Sequence, residues 1–171
     1  MDSITVKTLT RIKTMRKFKT PASEKAWEDR LGIKLTAEEH EAICSTKSDC
    51  TTPRDAMTWR KLKHRNLYTV KHDTETVDKT CMACDEQENQ LHLCECGVMH
   101  EEFWDPIIET LIELGMQEPT NKVAFLALGV IDEQSGTLID KDESGVLELA
   151  WRVLYAEIQR ARHEAGRLDL T

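Results

Sequence analysis

Glycine, proline and aromatic residues are scarce in this sequence of 171 residues. Seven glycines, four prolines and an aromatic share of 5% disfavour a turn-rich β-sandwich, and an apolar share of 40% is enough for a modest helical core. No apolar run approaches the roughly 18 residues that would span a bilayer. The first residues hold no compact apolar stretch of the secretory type. The chain is therefore expected to be intracellular and not inserted in a membrane. Its six cysteines are expected to be free thiols or metal ligands.

Signatures of common catalytic sites are also missing. The sequence has no phosphate-binding glycine loop, no nucleophile elbow and no His-Glu-x-x-His zinc protease motif. The simplest interpretation of the many glutamates is that they lie on solvent-exposed faces of helices. The sequence therefore predicts a protein that is not an enzyme, and no small-molecule substrate is evident.

Charge is divided unevenly along the chain, whose net charge is -8. Residues 1–72 carry sixteen Lys or Arg against nine Asp or Glu, whereas residues 73–171 carry seven against twenty-two. The basic front half is favourable for contact with RNA or DNA. The acidic back half would repel nucleic acid and is the candidate surface for a protein assembly.

The front of the chain, residues 1–22, is predicted to be a basic N-terminal extension of a single small helical domain, residues 23–171. Apolar residues recur in the extension at about helical spacing among six basic ones. Three interpretations stay open: a basic arm for phosphates, an organelle-targeting helix, or a surface helix that packs on the protein itself. The cations assigned here to nucleic-acid binding are Arg11, Lys13, Arg16, Lys17 and Lys19.

Three helices are predicted before the cysteine-rich segment. The first ends at Gly32, and the second begins with a capping box of Thr36 and Glu39. The third begins at Pro53, which favours a first helical turn, and runs to about Tyr68.

The third predicted helix is a further candidate for nucleic-acid contact. Trp59 and Tyr68 would stack on bases while neighbouring cations contact phosphates. An equally good interpretation is an amphipathic helix whose aromatic side chains face the core and whose cations face solvent or the acidic half. The cations concerned are Arg60, Lys61, Lys63 and Arg65.

Three more helices are predicted after the cysteines. An apolar stripe in steps of four and three residues predicts an amphipathic helix that ends at Gly115. Another helix begins at Pro119 and ends near Gly129, and an acidic loop, residues 132–145, precedes a last helix over residues 146–165. The stripe of the first of these helices consists of Met99, Phe103, Ile107, Leu111 and Leu114.

The segment CMACDEQENQLHLCEC, residues 81–96, carries the clearest chemical signal. Cys81 and Cys84 form a C-x-x-C pair, a spacing that places two thiolates on one side of a tight loop. His92 and Cys96 can complete a tetrahedral shell from the start of the next helix. These four residues are the predicted ligands of one zinc ion in a zinc knuckle.

Other interpretations of this segment stay open. Cys94 is the alternative fourth ligand, and His100 is a weaker one. A redox-active C-x-x-C lacks the thioredoxin-like context, and the cysteines can also be buried apolar side chains at chance spacing. If the shell is closed by four protein ligands, no position is left for water, so the zinc is expected to be structural and to contribute folding free energy.

Several longer stretches occur in an order that is familiar from one family. They read AWEDRLGIKLTAEEHEAI, WRKLKHRNLYTVKH and CMACDEQENQLHLCECGVMHEEFW, followed by FLALGV and LAWRVLYAEIQRAR. Together they resemble the zinc-knuckle region that lies C-terminal to the polymerase in non-LTR (LINE-type) retrotransposon polyproteins. The resemblance covers roughly residues 26–162.

The resemblance implies a function for the zinc segment. The first three predicted ligands match the family's ligands, whereas the family's usual fourth ligand falls on Gly97 and Cys96 stands one residue early. In the family this region is taken to assist nucleic-acid binding during target-primed reverse transcription. The chain contains neither the endonuclease nor the polymerase palm. The resemblance therefore implies a zinc-stabilised nucleic-acid-binding module, and the alternative is a domesticated structural or interaction subunit of a larger assembly.

Overall fold

Helices dominate the computed structural model, which describes residues 22–45, 48, 51–65, 67 and 80–165. The prediction of a mainly helical fold with an embedded Cys/His cluster is confirmed. The chain forms two compact units, Met1–Ile33 and Lys34–Thr171. The predicted extension lies outside the described residues except for its last residue, so the boundary after residue 22 stays a prediction.

The first unit contributes one described helix, α1, over Ala22–Leu31. It ends at Gly32, as predicted, where a φ of 70° takes the backbone into the left-handed region that glycine tolerates best. Trp27 of this helix is buried.

The second unit begins with two capped helices, α2 over Ala37–Ser45 and α3 over Pro53–Lys63. The predicted capping box before α2 is present, because the Thr36 amide donates to the Glu39 carboxylate at 2.7 Å and the Glu39 amide donates to the Thr36 hydroxyl at 3.2 Å. Helix α3 ends five residues before the predicted position, since Arg65 adopts a φ of 55°.

Two short helices, α4 over His92–Glu95 and α5 over Gly97–Met99, follow the C-x-x-C loop. A π-helical turn over His100–Trp104 then leads into α6 over Asp105–Glu113. Because a π turn holds one residue more than an α turn, it shifts the buried face by one position. The residues that face the core are Met99, Trp104, Ile108 and Leu111, whereas Leu114 of the predicted stripe is exposed.

Helix α7 spans Lys122–Leu128 and begins after Asn121, whose side chain accepts from the Ala124 amide at 3.0 Å. The predicted start at Pro119 is therefore too early. The helix ends at Gly129 as predicted, where φ is 78° and a Cβ would lie 2.6 Å from Ile139.

A small antiparallel hairpin, β1 over Val130–Asp132 and β2 over Thr137–Leu138, occupies the start of the predicted acidic loop. The last helix, α8 over Lys141–Glu164, begins five residues earlier than predicted. Asp140 and Glu143 form a capping box at its first turn, with the Glu143 amide donating to Asp140 at 2.8 Å.

The core of the second unit lies between α3, α7 and α8. The indole N–H groups of Trp59 and Trp151 both donate to the carbonyl of Leu126, at 3.0 and 2.9 Å. The ring of Trp104 lies 4.7 Å from that of Trp151 and its N–H donates to the Leu93 carbonyl at 3.3 Å. Trp59 and Trp151 therefore connect α3 and α8 through one shared backbone acceptor, and the contact between the rings of Trp104 and Trp151 joins the π turn to α8.

A buried ion pair joins the cysteine-rich segment to the last helix. Glu88, which lies between the C-x-x-C pair and His92, contacts the guanidinium of Arg162, and both side chains are almost fully buried. A second pair joins Asp55 of α3 to Arg152 of α8. None of the described helices is long and apolar enough to cross a membrane.

Candidate metal centre

The C-x-x-C pair lies on a tight loop that its own backbone closes. The amide of Cys81 donates to the Glu86 carbonyl at 2.6 Å, and the amide of Asp85 donates to the Cys81 carbonyl at 3.2 Å. Asp85 reverses the chain with a φ of 61°. The Ala83 amide points at the Cys81 sulfur, 3.4 Å away. Backbone groups of the loop therefore help to hold the Cys81 sulfur in place.

The second half of the cluster comes from α4 and from the residue that directly follows it, Cys96. The Asn89 side chain accepts from the amides of Leu91 and His92, at 2.9 and 3.1 Å, and so fixes where the helix begins. The Cys96 amide donates to the His92 carbonyl at 2.8 Å, four residues back. Because residues four apart lie on one helix face, His92 and Cys96 are presented together.

The four predicted ligands meet at one point. Their ligand atoms all lie within 4.8 Å of one another, and the Cys84 sulfur is 3.3 Å from Nε2 of His92. A tetrahedral zinc with thiolate and imidazole ligands has ligand-to-ligand distances of roughly 3.3–3.8 Å. A small contraction of the cluster would close such a shell. The described residues therefore provide a Cys₃His site that fits a tetrahedral metal ion, formed by Cys81, Cys84, His92 and Cys96.

The electrostatics of the site favour a cation. Burial raises the pKa of the Cys81 thiol to about 12, and the Cys96 and Cys84 sulfurs act in the same direction. A divalent ion reverses this balance because it stabilises thiolates directly. On the outer side, Nδ1 of His92 lies 3.7 Å from the Glu86 carboxylate. A carboxylate at that nitrogen favours the tautomer whose Nε2 is available to a metal.

Cys94 and His100 do not join the cluster. Cys94 lies two residues after His92, on another face of α4, where its buried sulfur is 3.8 Å from the Gln90 carbonyl. Nε2 of His100 donates to the Cys94 carbonyl at 2.6 Å, and its Nδ1 lies 3.4 Å from Asp105. Both side chains therefore serve the packing around the site, and the fourth position belongs to Cys96.

The predicted nucleic-acid contacts are only partly at the surface. Arg60 and Lys61 are exposed, and Arg65 is half-buried. Lys63 is buried instead, since its ammonium donates to the Ile43 carbonyl at 2.9 Å and lies 4.0 Å from the Trp59 ring. The remaining calls, Arg11, Lys13, Arg16, Lys17, Lys19 and Tyr68, lie outside the described residues.

The burial of Lys63 disagrees with its predicted phosphate contact, and the burial of Trp59 favours one of the two interpretations of α3 that the sequence left open. Neither a phosphate contact by Lys63 nor base stacking on Trp59 is open to side chains that lie inside the second unit. The inward orientation of Trp59 agrees with the amphipathic interpretation of α3.

Because Lys63 is buried, the free energy of unfolding is expected to change with pH in the alkaline range. Burial is the main reason that its pKa falls from 10.5 to about 8, although Cys44 and Glu148 oppose the fall. Between pH 8 and 10.5 the unfolded chain keeps this proton after the folded state has lost it. The contribution of Lys63 to the free energy of unfolding should therefore rise with pH.

Urea unfolding of the wild type and of Lys63→Met across this range isolates that contribution. The stability of the wild type relative to the variant should increase by about 2–3 kcal/mol from pH 8 to pH 10.5, and the subtraction removes the other titrating groups. A constant difference between the two proteins across the range would show that Lys63 titrates normally.

Two residues that support the cluster were not found by sequence reasoning. Glu86 contacts the imidazole, and Asn89 fixes the start of α4. An Asn three residues before a metal-binding His on a helix is a local capping signal that could have been used. The contact of Glu86 with His92 has no such signal in the sequence, because Glu86 is one of several glutamates in this segment.

Comparisons of the chain with protein-family models, with curated proteins and with solved structures find no match. The resemblance to the retrotransposon region therefore stays a prediction. The geometry of the Cys₃His cluster is the main observation about function.

Proposed function

We propose that this chain is a zinc-stabilised nucleic-acid-binding module without catalytic activity of its own. The observation that supports it best is the convergence of three thiols and one imidazole, with all ligand atoms within 4.8 Å of one another. Thiolate and imidazole ligands in a tetrahedral arrangement are the typical donors for zinc. Four protein ligands leave no open position for a substrate or for water, so the ion would act as a structural element.

A structural role also follows from where the ligands lie. Residues 80–91 form no helix and only an isolated bridge between Thr80 and Gln87. An ion that joins Cys81 and Cys84 of this loop to α4 would fix it to the helical part of the unit.

Nucleic acid as the partner is supported by charge and by the resemblance given above. Helix α3 exposes Arg54, Arg60 and Lys61, and the basic residues 1–20 precede them in the chain. Sequence-independent binding of this kind works by neutralising phosphates and releasing counterions. Without an exposed Trp59, a phosphate contact would dominate over base stacking.

Charge reversal on α3 tests this proposal. The double variant Arg60→Glu/Lys61→Glu should weaken binding to all RNA and DNA sequences alike, because phosphate contacts carry no sequence information. The log–log slope of affinity against salt should become less negative by roughly 2, about one unit for each lost contact. Filter-binding titrations at several salt concentrations measure both quantities.

Lys141→Glu is the matched control for these titrations, since Lys141 is an exposed lysine of the acidic half. It should leave affinity and salt slope close to those of the wild type. Melting temperatures of all variants should also stay near wild type, because the reversed side chains are exposed. If neither RNA nor DNA is retained at low salt, nucleic acid is not the partner.

A structural or interaction subunit is the second candidate function. It is favoured by the burial of Trp59 and Lys63, which removes two of the predicted nucleic-acid contacts from the surface of α3. Under this alternative the zinc site serves the fold in the same way. Only the binding titrations separate the two functions.

A further inference from the structure

Helix α8 has an exposed apolar face in addition to the face that it buries. Leu147, Trp151 and Leu154 lie in the core. On the other side, Val146, Leu149 and Val153 are exposed to 40%, 45% and 53%. Exposed valine and leucine side chains are ordinary when scattered, but these three share one face of a single helix.

The spacing on this face continues along the helix. Steps of four and three residues alternate over its whole length, which is the heptad pattern of a helix that pairs with another helix. Val146, Leu149 and Val153 occupy three consecutive positions of this pattern. All seven side chains are exposed, and we call them the α8 stripe: Asp142, Val146, Leu149, Val153, Ala156, Arg160 and His163.

We propose that the α8 stripe is the interface of a symmetric homodimer in which two copies of α8 pack antiparallel. Charge selects both the partner and its direction. When Leu149 of one copy faces Val153 of the other, Asp142 faces Arg160 at both ends of the interface. A parallel pair would instead place Asp142 against Asp142 and Arg160 against Arg160.

The side-chain sizes agree with the same register. The valine at 146 then faces the small side chain of Ala156, and the leucine at 149 faces the valine at 153, so no layer holds two large residues. Such a twofold arrangement repeats each contact twice, as a symmetric interface requires. In the single chain Arg160 pairs with Glu157 and Glu164 of its own helix at 2.6 and 3.0 Å. These pairs are exposed, so exchanging them for Asp142 costs little.

A groove beside the stripe enlarges the surface. Helices α3 and α8 border an open, shallow depression lined by Met57, Thr58 and Arg152, and Ala156 of the stripe lines it too. Met57 is itself exposed. A partner helix on the stripe would cover this apolar rim as well.

Sedimentation equilibrium of the full chain over a range of concentrations tests the dimer. Val153→Glu should raise the dimer dissociation constant at least tenfold, because it places one carboxylate from each copy in an apolar layer. Leu114→Glu is the control, since Leu114 is a 79% exposed leucine that directly follows α6 and is not part of the α8 stripe. It should leave the dissociation constant unchanged.

Charge exchange tests the direction of packing. Asp142→Arg should weaken the dimer by creating two Arg–Arg contacts, and Asp142→Arg/Arg160→Asp should restore it, because the exchanged pair is again complementary. Circular dichroism should show that each variant keeps its helix content and melting temperature. The proposal is overturned if the wild type is monomeric at every concentration, if Val153→Glu dimerises as the wild type does, or if the double charge exchange fails to restore what the single one loses.

Discussion

Cys96→Ser is expected to lower the zinc content and the melting temperature of the protein together. Cys96 is one of four residues whose ligand atoms converge, and a buried serine hydroxyl is a poor replacement for a thiolate. Because metal binding stabilises only the folded loop, the loss of a ligand should cost several kcal/mol of unfolding free energy, on the order of the free energy that structural zinc contributes to small domains. Elemental analysis and calorimetry of the purified protein measure the two effects.

Cys94→Ser is the matched control, because Cys94 is a buried cysteine two residues away that does not join the cluster. It should retain one zinc per chain and lose only about 1–3 kcal/mol, the cost of a hydroxyl in an apolar site. If Cys94→Ser loses its zinc and Cys96→Ser keeps it, the fourth ligand is Cys94 and not Cys96. Equal, full zinc content in both would show that neither cysteine is a ligand.

Removing one partner of the buried pair between Glu88 and Arg162 should destabilise the second unit strongly. Arg162→Met leaves a carboxylate in the core without its counter-charge, a situation that typically costs about 3–5 kcal/mol. Lys122→Met is the control, since Lys122 makes a solvent-accessible pair with Asp105 outside the α8 stripe and its loss should cost no more than about 1 kcal/mol. Urea unfolding of the zinc-loaded proteins gives both values.

The double variant Glu88→Leu/Arg162→Met separates pairing from packing. It removes both charges and keeps most of the apolar volume, so it should recover much of the stability lost by Arg162→Met. Glu88 also lies on the loop between Cys84 and His92, so Arg162→Met should weaken zinc binding as well as folding. If the single and the double variants are equally unstable, the two side chains stabilise the protein by their packing and not by the pairing of their charges.

The residues of the Cys₃His cluster could be predicted from sequence because their relation is local. The C-x-x-C spacing and the single helical turn from His92 to Cys96 are short-range relations, and the structure brings these four side chains together. The capping box at Thr36 and the glycine stop at Gly129 were predictable for the same reason.

The features that escaped prediction depend on contacts between distant parts of the chain. Lys63 lies among basic residues that normally face solvent, and its ammonium finds a buried partner in the Ile43 carbonyl, 20 residues earlier. The pair between Glu88 and Arg162 joins residues that are far apart in sequence. No pattern within a single helix identifies such partners, because each side chain alone looks like a surface residue.

The π turn at His100–Trp104 has a consequence for how this chain should be compared with others. Met99 and Trp104 both face the core although they are five positions apart in the sequence, whereas in a regular helix the corresponding positions are four apart. A relative that lacks one residue between these positions could keep both side chains in place and simply close the turn as an α-helix. An alignment of such chains therefore needs a one-residue gap inside a continuous helix, where gaps are usually penalised. Exposed Glu101 and Glu102 mark where that gap belongs.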